Sequence, residues 1–410
     1  MAKRFFLLAA LLLTAAFGGC KYPFEADLQD EYTGVVIEAT VLVGGTSTIS
    51  CLPIMDFNGA AEPLNFRATV EGEDGSSLSV TGRGSLRLDT RALNPSQRYR
   101  LVVETSSNRS YRSEWLEVME APVLDRLSYA IDGKTLQVLL SFHSDSDTPY
   151  YSIAYDEQWE YHADASSVFE YYPPDKLPDE GALPLLFPPM RSVALNYGGI
   201  YLSDNAHGPY WTCWDSSTRT IGSVVSTGAL KANKLVDYPV ITLPETNIKV
   251  SVRYHPMLQV WMISKDAYEY WVNLDRTSFL TGDLFTPTPS SMRGNISNPE
   301  DPSELVFGYA CASRAASADL FYDNDKEHFY HPAPGLYDEL LRSALGTDEN
   351  SPGVKAREMH PAYLMGFLPW EMNSDDNGNE YYLWLPSACF DCRRRGGSLT
   401  PPPLWPVVNP

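Results

Sequence analysis

The chain has 410 residues, of which 52 are acidic and 31 are basic, so its formal net charge at pH 7 is −21. Because like charges repel, this balance argues against nucleic-acid binding and against direct docking on anionic lipid head groups. The length predicts two or three domains, each with an apolar core that needs no disulfide bond to fold. The 25 tyrosines and 9 tryptophans are typical of β-sheet surfaces, interfaces and sugar contacts.

The first 20 residues predict a lipid anchor. Lys3 and Arg4 precede an apolar stretch that is too short to span a bilayer, and two glycines lead to Cys20. This order is typical of a bacterial secretory signal over residues 1–19, whose cleavage leaves Cys20 as the new N-terminus. We expect diacylglycerol on the Cys20 thiol and a further acyl chain on its amine, which together hold a protein on a membrane. The alternative is a secreted protein in which Cys20 is an ordinary thiol.

Loss of the signal changes the formal net charge from −21 to −23, because Lys3 and Arg4 leave with it. No other stretch approaches 18 consecutive apolar residues, so the lipid is the only membrane attachment that the sequence predicts.

Two β-sandwich domains are predicted behind a short tether over residues 20–31. Short alternating strands separated by turns indicate an Ig-like sandwich over 32–118. A second series, with a hairpin at an Asp-Gly turn, indicates a fibronectin III-like sandwich over 119–260. A long irregular insertion over 163–208, rich in Tyr, Pro and Asp, interrupts the second domain. A loop of this length is usually functional or poorly ordered.

The C-terminal region, residues 261–410, is predicted to complete the second sandwich and to carry a small helical supplement. Apolar and aromatic residues recur at helical spacing over 265–280, and Ser264 can cap that helix. A shorter helix is predicted over 336–345. The expected fold class is therefore mainly β, with two Ig/fibronectin III-like sandwiches, few helices and long insertions.

Five cysteines besides Cys20 are disulfide candidates, because an exported protein meets oxidising conditions. Two pairs and one unpaired thiol allow fifteen arrangements, among which the sequence does not choose. The motif at 389–392 could be a redox dithiol, half a zinc site or part of a structural disulfide. It opens no helix of a thioredoxin-like unit and lacks a clear second pair of zinc ligands, so we favour structural disulfides. The candidates are Cys51, Cys213, Cys311, Cys389 and Cys392.

Three arginines follow this motif, and we expect them to pair with the chain's own surplus carboxylates rather than with a bound anion.

One acidic and histidine-containing stretch is a weak candidate for a metal site. Its spacing fits no motif, and a solvated loop explains it better. The weak candidates are Asp323, Asp325, His328 and His331. Residues 373–380 imitate half of a calcium loop, but Trp384 stands where the bidentate carboxylate is needed, which excludes an EF-hand. We expect no metal and no cofactor besides the N-terminal lipid.

Catalytic motifs are missing from convincing contexts. The chain shows no nucleophile elbow, no zinc-binding His-Glu-x-x-His, no phosphate-binding glycine loop and no dinucleotide fingerprint. The two carboxylates of a glycoside hydrolase need no fixed spacing, so that class stays open as an alternative. We expect a protein without catalytic residues.

Six segments stand out together along the chain: Pro23-Phe24-Glu25, Trp211-Thr-Cys-Trp214, 264–271, Gly294-Asn-Ile, Phe307-Gly-Tyr309 and 389–397. In order and spacing they resemble one family, the Bacteroidota outer-membrane lipoproteins grouped as the domain-of-unknown-function 4249 family. The resemblance covers nearly the whole mature chain and is most specific at 294–296 and at the terminal Cys-x-Asp-Cys-Arg. The chain departs from the family pattern at Ala310-Cys311 and through extra residues at about 323–375.

The resemblance implies an outer-membrane lipoprotein, often encoded beside a TonB-dependent transporter, and it implies no catalytic residues. Glu25 and Asp27, just behind Cys20, are a loose version of the signal that sends such lipoproteins to the outward leaflet. We therefore expect a surface-exposed binding or accessory subunit of an outer-membrane β-barrel, a TonB-dependent transporter, that assists the capture of a peptide, glycan or metal-chelate ligand. An adhesive or structural surface protein is the further alternative.

Overall fold

The computed structural model describes residues 34–53, 63–187, 190–203, 208–218, 223–279, 294–324, 329, 356–374, 380–403 and 405. The predictions for Cys20, for the tether 20–31 and for the helix over 336–345 concern residues outside this part of the chain. Within it, none of the helices combines the length and the apolar character that crossing a membrane requires.

Strands dominate the secondary structure. In the first 190 residues these are β1 (Val35–Leu42), β2 (Thr46–Pro53), β3 (Asn65–Gly72), β4 (Ser77–Arg83), β5 (Ser85–Asp89), β6 (Tyr99–Thr105), β7 (Ser110–Ser113), β8 (Val118–Met119), β9 (Val123–Asp132), β10 (Thr135–His143), β11 (Tyr150–His162), β12 (Phe169–Tyr172) and β13 (Leu185–Phe187). There follow α1 (Arg191–Tyr197), β14 (Gly199–Leu202), β15 (Thr212–Thr218), β16 (Ser223–Ser226), β17 (Lys234–Pro244), β18 (Arg253–Met262) and α2 (Lys265–Phe279).

The remaining elements are β19 (Ile296–Ser297), β20 (Val306–Phe307), β21 (Ala310–Ser313), β22 (Ala315–Asp319), β23 (Tyr322–Asp323), α3 (Ala356–Leu364), β24 (Phe367–Ser374) and β25 (Glu380–Pro386). Short 3₁₀ helices cover Pro174–Lys176, Ile248–Val250, Ser387–Phe390 and Cys392–Arg395. The mainly β fold, with two sandwiches, a small helical supplement and long insertions, is confirmed.

The first sandwich packs the sheet β5-β2-β1-β21-β8 against the sheet β19-β7-β6-β3-β4. Every second residue of β1 points into the core, so Val35, Ile37, Ala39 and Val41 are buried. Burial of such side chains contributes about 1.5–3 kcal/mol each for the larger ones. The period-two pattern therefore places one face of each strand against the opposite sheet.

Three strands of the first sandwich come from the C-terminal region 261–410, which we expected to complete the second domain. The region contributes to both domains, because β22 and β23 join the second sandwich. β21 lies parallel to β1, with Ala39 opposite Ala310 and Leu42 opposite Ser313. β20 extends this parallel pairing, and β19 pairs with β7 of the other sheet. A strand pattern predicts which face is buried but not which sheet the strand joins. β1 gains a hydrogen-bonding partner on its second edge from a segment about 270 residues away.

Two glycines and one asparagine fix the position of the segment 294–313, which contains β19, β20 and β21. A Cβ on Gly294 would lie 1.6 Å from the carbonyl oxygen of Gly308, and a Cβ on Gly308 would lie 1.8 Å from that of Ile37. Gly308 also has φ +103°, so only glycine fits there. The Asn295 side chain donates to the Ala310 carbonyl and accepts from the Ala310 N–H, both at 2.8 Å. The Gly-Asn-Ile and Phe-Gly-Tyr segments are therefore structural.

The second sandwich packs β17-β10-β9 against β15-β11-β18-β22, with β16 on β11 and β23 on β18. The predicted hairpin at the Asp-Gly turn joins β9 to β10, and Gly133 there has φ +58°. The core between the two sheets is rich in aromatic rings; Phe142, for example, meets Tyr151 edge-on at 4.8 Å.

The insertion within the second domain builds a third, small body. We call this the insertion unit: it consists of the sheet β12-β14-β13, helix α1, helix α3 and the hairpin β24–β25, which pack on one another. Its core centres on Tyr171, Ile200 and Trp384, all of which are buried. Residues from two distant segments thus share one core, which explains why 163–208 has no strand or helix pattern strong enough to recognise by itself.

Candidate functional site

A cavity of about 920 Å³ lies between the insertion unit and the C-terminal tail, the segment 387–403 that follows β25. Ligand sites in proteins typically enclose about 300–1,000 Å³ and combine apolar walls with a few polar groups. The walls here come from β12, α3 and β24 on one side, and from the loop before β15 and the tail on the other. The lining residues with aromatic or charged side chains are Phe169, Glu170, Tyr171, Tyr210, Tyr363, Phe390, Asp391, Arg393 and Arg394.

The wall on the insertion-unit side is held rigid by ring contacts. Phe169 meets Tyr382 edge-on with centroids 5.2 Å apart, and Tyr171 lies 5.1 Å from Tyr363 and 5.6 Å from Trp384. The Tyr171 hydroxyl donates to the carbonyl of residue 197 at 2.9 Å. Burial raises the pKa of Tyr171, so this hydroxyl keeps its proton and acts as a structural donor.

The tail wall centres on Asp391 and Arg393. The Arg393 guanidinium donates to the Asp391 carboxylate from Nε at 2.9 Å and from Nη2 at 2.7 Å. It also lies over the Tyr210 ring, 3.7 Å from the ring centroid. Hydrogen bonds from Arg393 hold the pKa of Asp391 below its usual range, so the carboxylate stays ionised. Asp391 accepts the backbone N–H of Arg393 as well, which starts the last 3₁₀ helix.

The next two arginines share one carboxylate. Arg394 and Arg395 both form ion pairs with Asp164, whose side chain is only 3% exposed. The prediction that the arginine run pairs with the chain's own carboxylates is therefore confirmed. Sequence reasoning could not choose the carboxylates, because Asp164 lies some 230 residues before its partners.

A disulfide bond between Cys213 and Cys392 anchors the tail to β15. Around it, the Tyr161 hydroxyl donates to the Cys392 carbonyl at 3.1 Å. A Cβ on Gly397 would lie 2.2 Å from the Tyr161 hydroxyl, so the chain passes too close for any larger residue. The disulfide that we favoured for the Cys-x-x-Cys motif is present, but it joins the motif to a distant strand.

The expectation of two disulfides is wrong, since Cys51, Cys311 and Cys389 are free thiols. Cys51 lies in the core of the first sandwich, Cys311 lies where the two sandwiches meet, and Cys389 lies under the insertion unit. Burial raises the pKa of Cys51 to about 12 and that of Cys311 to about 11, so both remain protonated and unreactive.

The weak metal candidate receives no support from the residues that the structure covers. Asp323 lies on β23 and forms an ion pair with Arg253. Among the described residues there is no group of three or more metal-binding side chains. Asp325, His328 and His331 lie outside them.

The insertion unit also exposes an apolar surface that the sequence did not predict. We call it the apolar face. Its members lie on or beside α1 and at the end of α3, two helices that pack against each other. They are Met190, Leu195, Tyr197, Leu364 and Met365. The sequence of α1 shows no helical pattern of apolar residues because Ala194 is the one buried residue of this helix.

A second, much smaller cavity of about 30 Å³ lies between the two sandwiches, beside Glu38, Trp261 and Trp271. It has room for about one water molecule and for no larger ligand. The predicted helix α2 packs here, and Ser264 caps it by accepting the Ala267 N–H at 3.1 Å, as expected. Burial raises the pKa of Glu38 to about 7.

Comparison with known proteins gives a family and a weak structural likeness. A family model described as "Domain of unknown function (DUF4249)" matches residues 21–319, a stretch that contains the insertion and the Gly-Asn-Ile segment but ends before the tail. Among solved structures, the chain matches the crystal structure of chicken CNTN1 FN1-FN3 domains at 12% identity with a TM-score of 0.17. That match covers 56% of this chain and 60% of the other, and at this TM-score it supports no argument about function. No curated protein matches the chain.

Proposed function

The chain belongs to the DUF4249 family, whose description names no activity, and on that premise we propose that it is a surface-exposed outer-membrane lipoprotein. In this proposal it is a binding or accessory subunit of an outer-membrane β-barrel complex, a TonB-dependent transporter, and assists that barrel in capturing a ligand. The observation that carries the proposal is the apolar face of the insertion unit.

Large apolar side chains concentrated on one small body are unusual for a protein that works alone in water. Monomeric proteins rarely expose large contiguous apolar patches, and such patches mark sites of interaction with other proteins. Met and Tyr, which are enriched at protein–protein interfaces, are both present in the apolar face. The formal net charge of −21 at pH 7 favours solubility of the chain as a whole.

The predicted anchor supports the same proposal. A lipid on Cys20 would keep the body at the membrane surface, where a barrel is the partner within reach, and would make docking effectively intramolecular. Glu25 and Asp27 favour the outward leaflet through the resemblance described above.

Affinity capture from gently solubilised outer membrane tests this proposal. Wild-type protein should recover a β-barrel protein, and Leu195→Asp should recover at least about tenfold less. Burying a leucine contributes about 1.5–3 kcal/mol, and a buried unpaired charge costs more, whereas tenfold in affinity is 1.4 kcal/mol.

Leu230→Asp is the matched control, because Leu230 is 51% exposed on the second sandwich and Leu195 is 58% exposed on the apolar face. It should recover the barrel as the wild type does, and both variants should keep the wild-type melting temperature. Absence of any barrel in the wild-type capture, or equal capture by the Leu195 variant, would contradict the proposal.

Glycan hydrolysis is the alternative function, since two carboxylates, Glu170 and Asp391, line the large cavity. A carboxylate-based glycosidase needs one of its two carboxyl groups protonated as the general acid. Arg393 lowers the pKa of Asp391, so Asp391 could serve only as the ionised carboxylate of such a pair and not as its acid. We keep ligand binding without catalysis as our prediction.

A further inference from the structure

We propose that the cavity between the insertion unit and the C-terminal tail binds a neutral oligosaccharide. This inference rests on the ligand-capture part of the proposed function and adds the chemical class of the ligand. It does not depend on the apolar face, none of whose residues lines the cavity and which is tested separately.

Aromatic rings from both sides give the cavity surfaces on which sugar rings can stack. Phe169 and Tyr363 come from the insertion unit, whereas Tyr210 and Phe390 come from the opposite wall, and all four remain partly or fully accessible. The C–H groups on one face of a pyranose carry slight positive charge and match the negative face of an aromatic ring. The volume of about 920 Å³ suits a ligand of several such rings rather than one.

Both guanidinium groups that line the cavity already have a carboxylate partner. Asp391 pairs with Arg393, and Arg394 pairs with Asp164, so an anionic ligand would have to separate one of these ion pairs. Separation leaves a partly buried charge uncompensated. A neutral ligand with hydroxyl groups needs no such separation.

The Asp391–Arg393 pair still has hydrogen-bonding capacity for hydroxyl groups. Asp391 takes the Nε and Nη2 side of the guanidinium, while a guanidinium has five N–H donors in all. A carboxylate has about four lone-pair positions, of which Arg393 occupies part. Because the Arg393 guanidinium lies over the Tyr210 ring, the pair presents donors and acceptors beside an aromatic ring, the combination that a sugar ring with hydroxyl groups at its edge can use.

A peptide fits the cavity less well. Peptides that bind as an added strand use unpaired main-chain groups at the edge of a sheet, and β12 is such an edge here. The Phe169 N–H at this edge already donates to the Ser167 hydroxyl at 2.9 Å, and the Phe169 carbonyl accepts from the same hydroxyl at 3.2 Å. At Phe169 the edge is therefore already occupied by the chain itself.

Isothermal titration calorimetry on the full mature lipoprotein, in a detergent without sugar groups, tests the proposal. The probes are maltotriose, cellotriose, xylotriose and mannotriose, with trigalacturonate and penta-alanine as the anionic and peptide comparisons. At least one neutral trisaccharide should bind more tightly than either comparison. Tyr210→Ala should weaken that binding at least tenfold, and Tyr210→Phe, which keeps the ring, should restore it to within about threefold of the wild type.

Trp115→Ala is the matched control, because Trp115 is an exposed aromatic residue of the first sandwich that also lies under an arginine, Arg100. It should leave binding unchanged. Failure of all four neutral sugars, tighter binding of trigalacturonate or penta-alanine, or an unchanged affinity in Tyr210→Ala would each overturn the inference. Leu195→Asp should bind the sugar as the wild type does, so a failure of docking and a failure of sugar binding can be told apart.

Discussion

Glu38 lies on β1 with its side chain directed away from the core of the first sandwich. The alternation along β1 predicts an exposed position, since Ile37 and Ala39 on either side are buried in that core. The second sandwich and α2 cover this outer face instead, so Glu38 lines the small cavity between the domains together with Trp261, Trp271 and the neutral thiol of Cys311. The phenol of Tyr270 is close enough for the charge of Glu38 to raise its pKa further.

This environment makes the stability of the protein depend on pH. Burial raises the pKa of Glu38 from 4.5 to about 7, so the folded state favours the protonated form. The resulting stabilisation is complete below about pH 4.5 and is lost as pH rises towards 7 and above. A shift of this size amounts to about 3 kcal/mol.

Glu38→Gln should therefore remove the pH dependence that Glu38 gives to the free energy of unfolding. The free energy of unfolding of the wild type, relative to that of the variant, should fall by about 3 kcal/mol between pH 4.5 and pH 8. Urea unfolding of both proteins across this range measures the difference. Glu104→Gln, at an exposed position of β6, should show no such change, and a flat difference for Glu38→Gln would contradict the burial argument.

At the scale of elements, the C-terminal tail depends on contacts that no local pattern reveals. The sequence shows three features of this tail: the Cys-Phe-Asp-Cys motif, the arginine run and the glycines Gly396 and Gly397. Their partners were not, because Cys213, Tyr161 and Asp164 lie 179 to 231 residues away along the chain. The motif indicates a structural role, and the tertiary structure places the tail against the residues with which it bonds.

The Cys213–Cys392 disulfide should control both stability and ligand binding. Phe390, Asp391 and Arg393 all lie within two residues of Cys392, so one wall of the large cavity is held by this bond. The double variant Cys213→Ser/Cys392→Ser should lose about 2–4 kcal/mol in urea unfolding. It should also bind the sugar at least about tenfold more weakly by calorimetry, because the wall is no longer fixed.

Cys311→Ser serves as the comparison for this prediction, since it removes a thiol that takes no part in a disulfide and lies at the domain junction. Binding that is equal in the double variant and in Cys311→Ser would show that the tail wall is fixed by packing and hydrogen bonds without the disulfide.

On the scale of the whole molecule, the first sandwich is discontinuous in sequence. Its strands β1–β8 come from one stretch, while β19, β20 and β21 return from beyond the second sandwich. β21 lies between β1 and β8 in the middle of a sheet, and Val306, Ala310 and Ala312 contribute to the core. The two sandwiches are therefore tied together by chain connectivity as well as by the packing of α2 at their junction.

A fragment of residues 32–118 alone should not fold. Without β21 the sheet loses the strand that joins β1 to β8, and the core loses the side chains that β19–β21 bury. Near-ultraviolet circular dichroism should show no fixed tertiary structure and urea no cooperative transition. The same fragment joined to residues 294–314 through a flexible linker should regain both, whereas cooperative unfolding of the short fragment alone would contradict this account.

The sequence by itself determined the features that arise from local spacing: a mainly β chain, the faces that the strands bury, the capped helix α2, the Asp-Gly hairpin and the family. The first four follow from residue periodicity and turn chemistry, which act over a few residues, whereas the family follows from the resemblance of several motifs. The tertiary structure alone decided that residues 296–313 complete the first sandwich, that Cys213 is the partner of Cys392, and that the insertion and the tail enclose a cavity. Those features are contacts between residues far apart in the chain, and they depend on how elements pack, which no local pattern encodes.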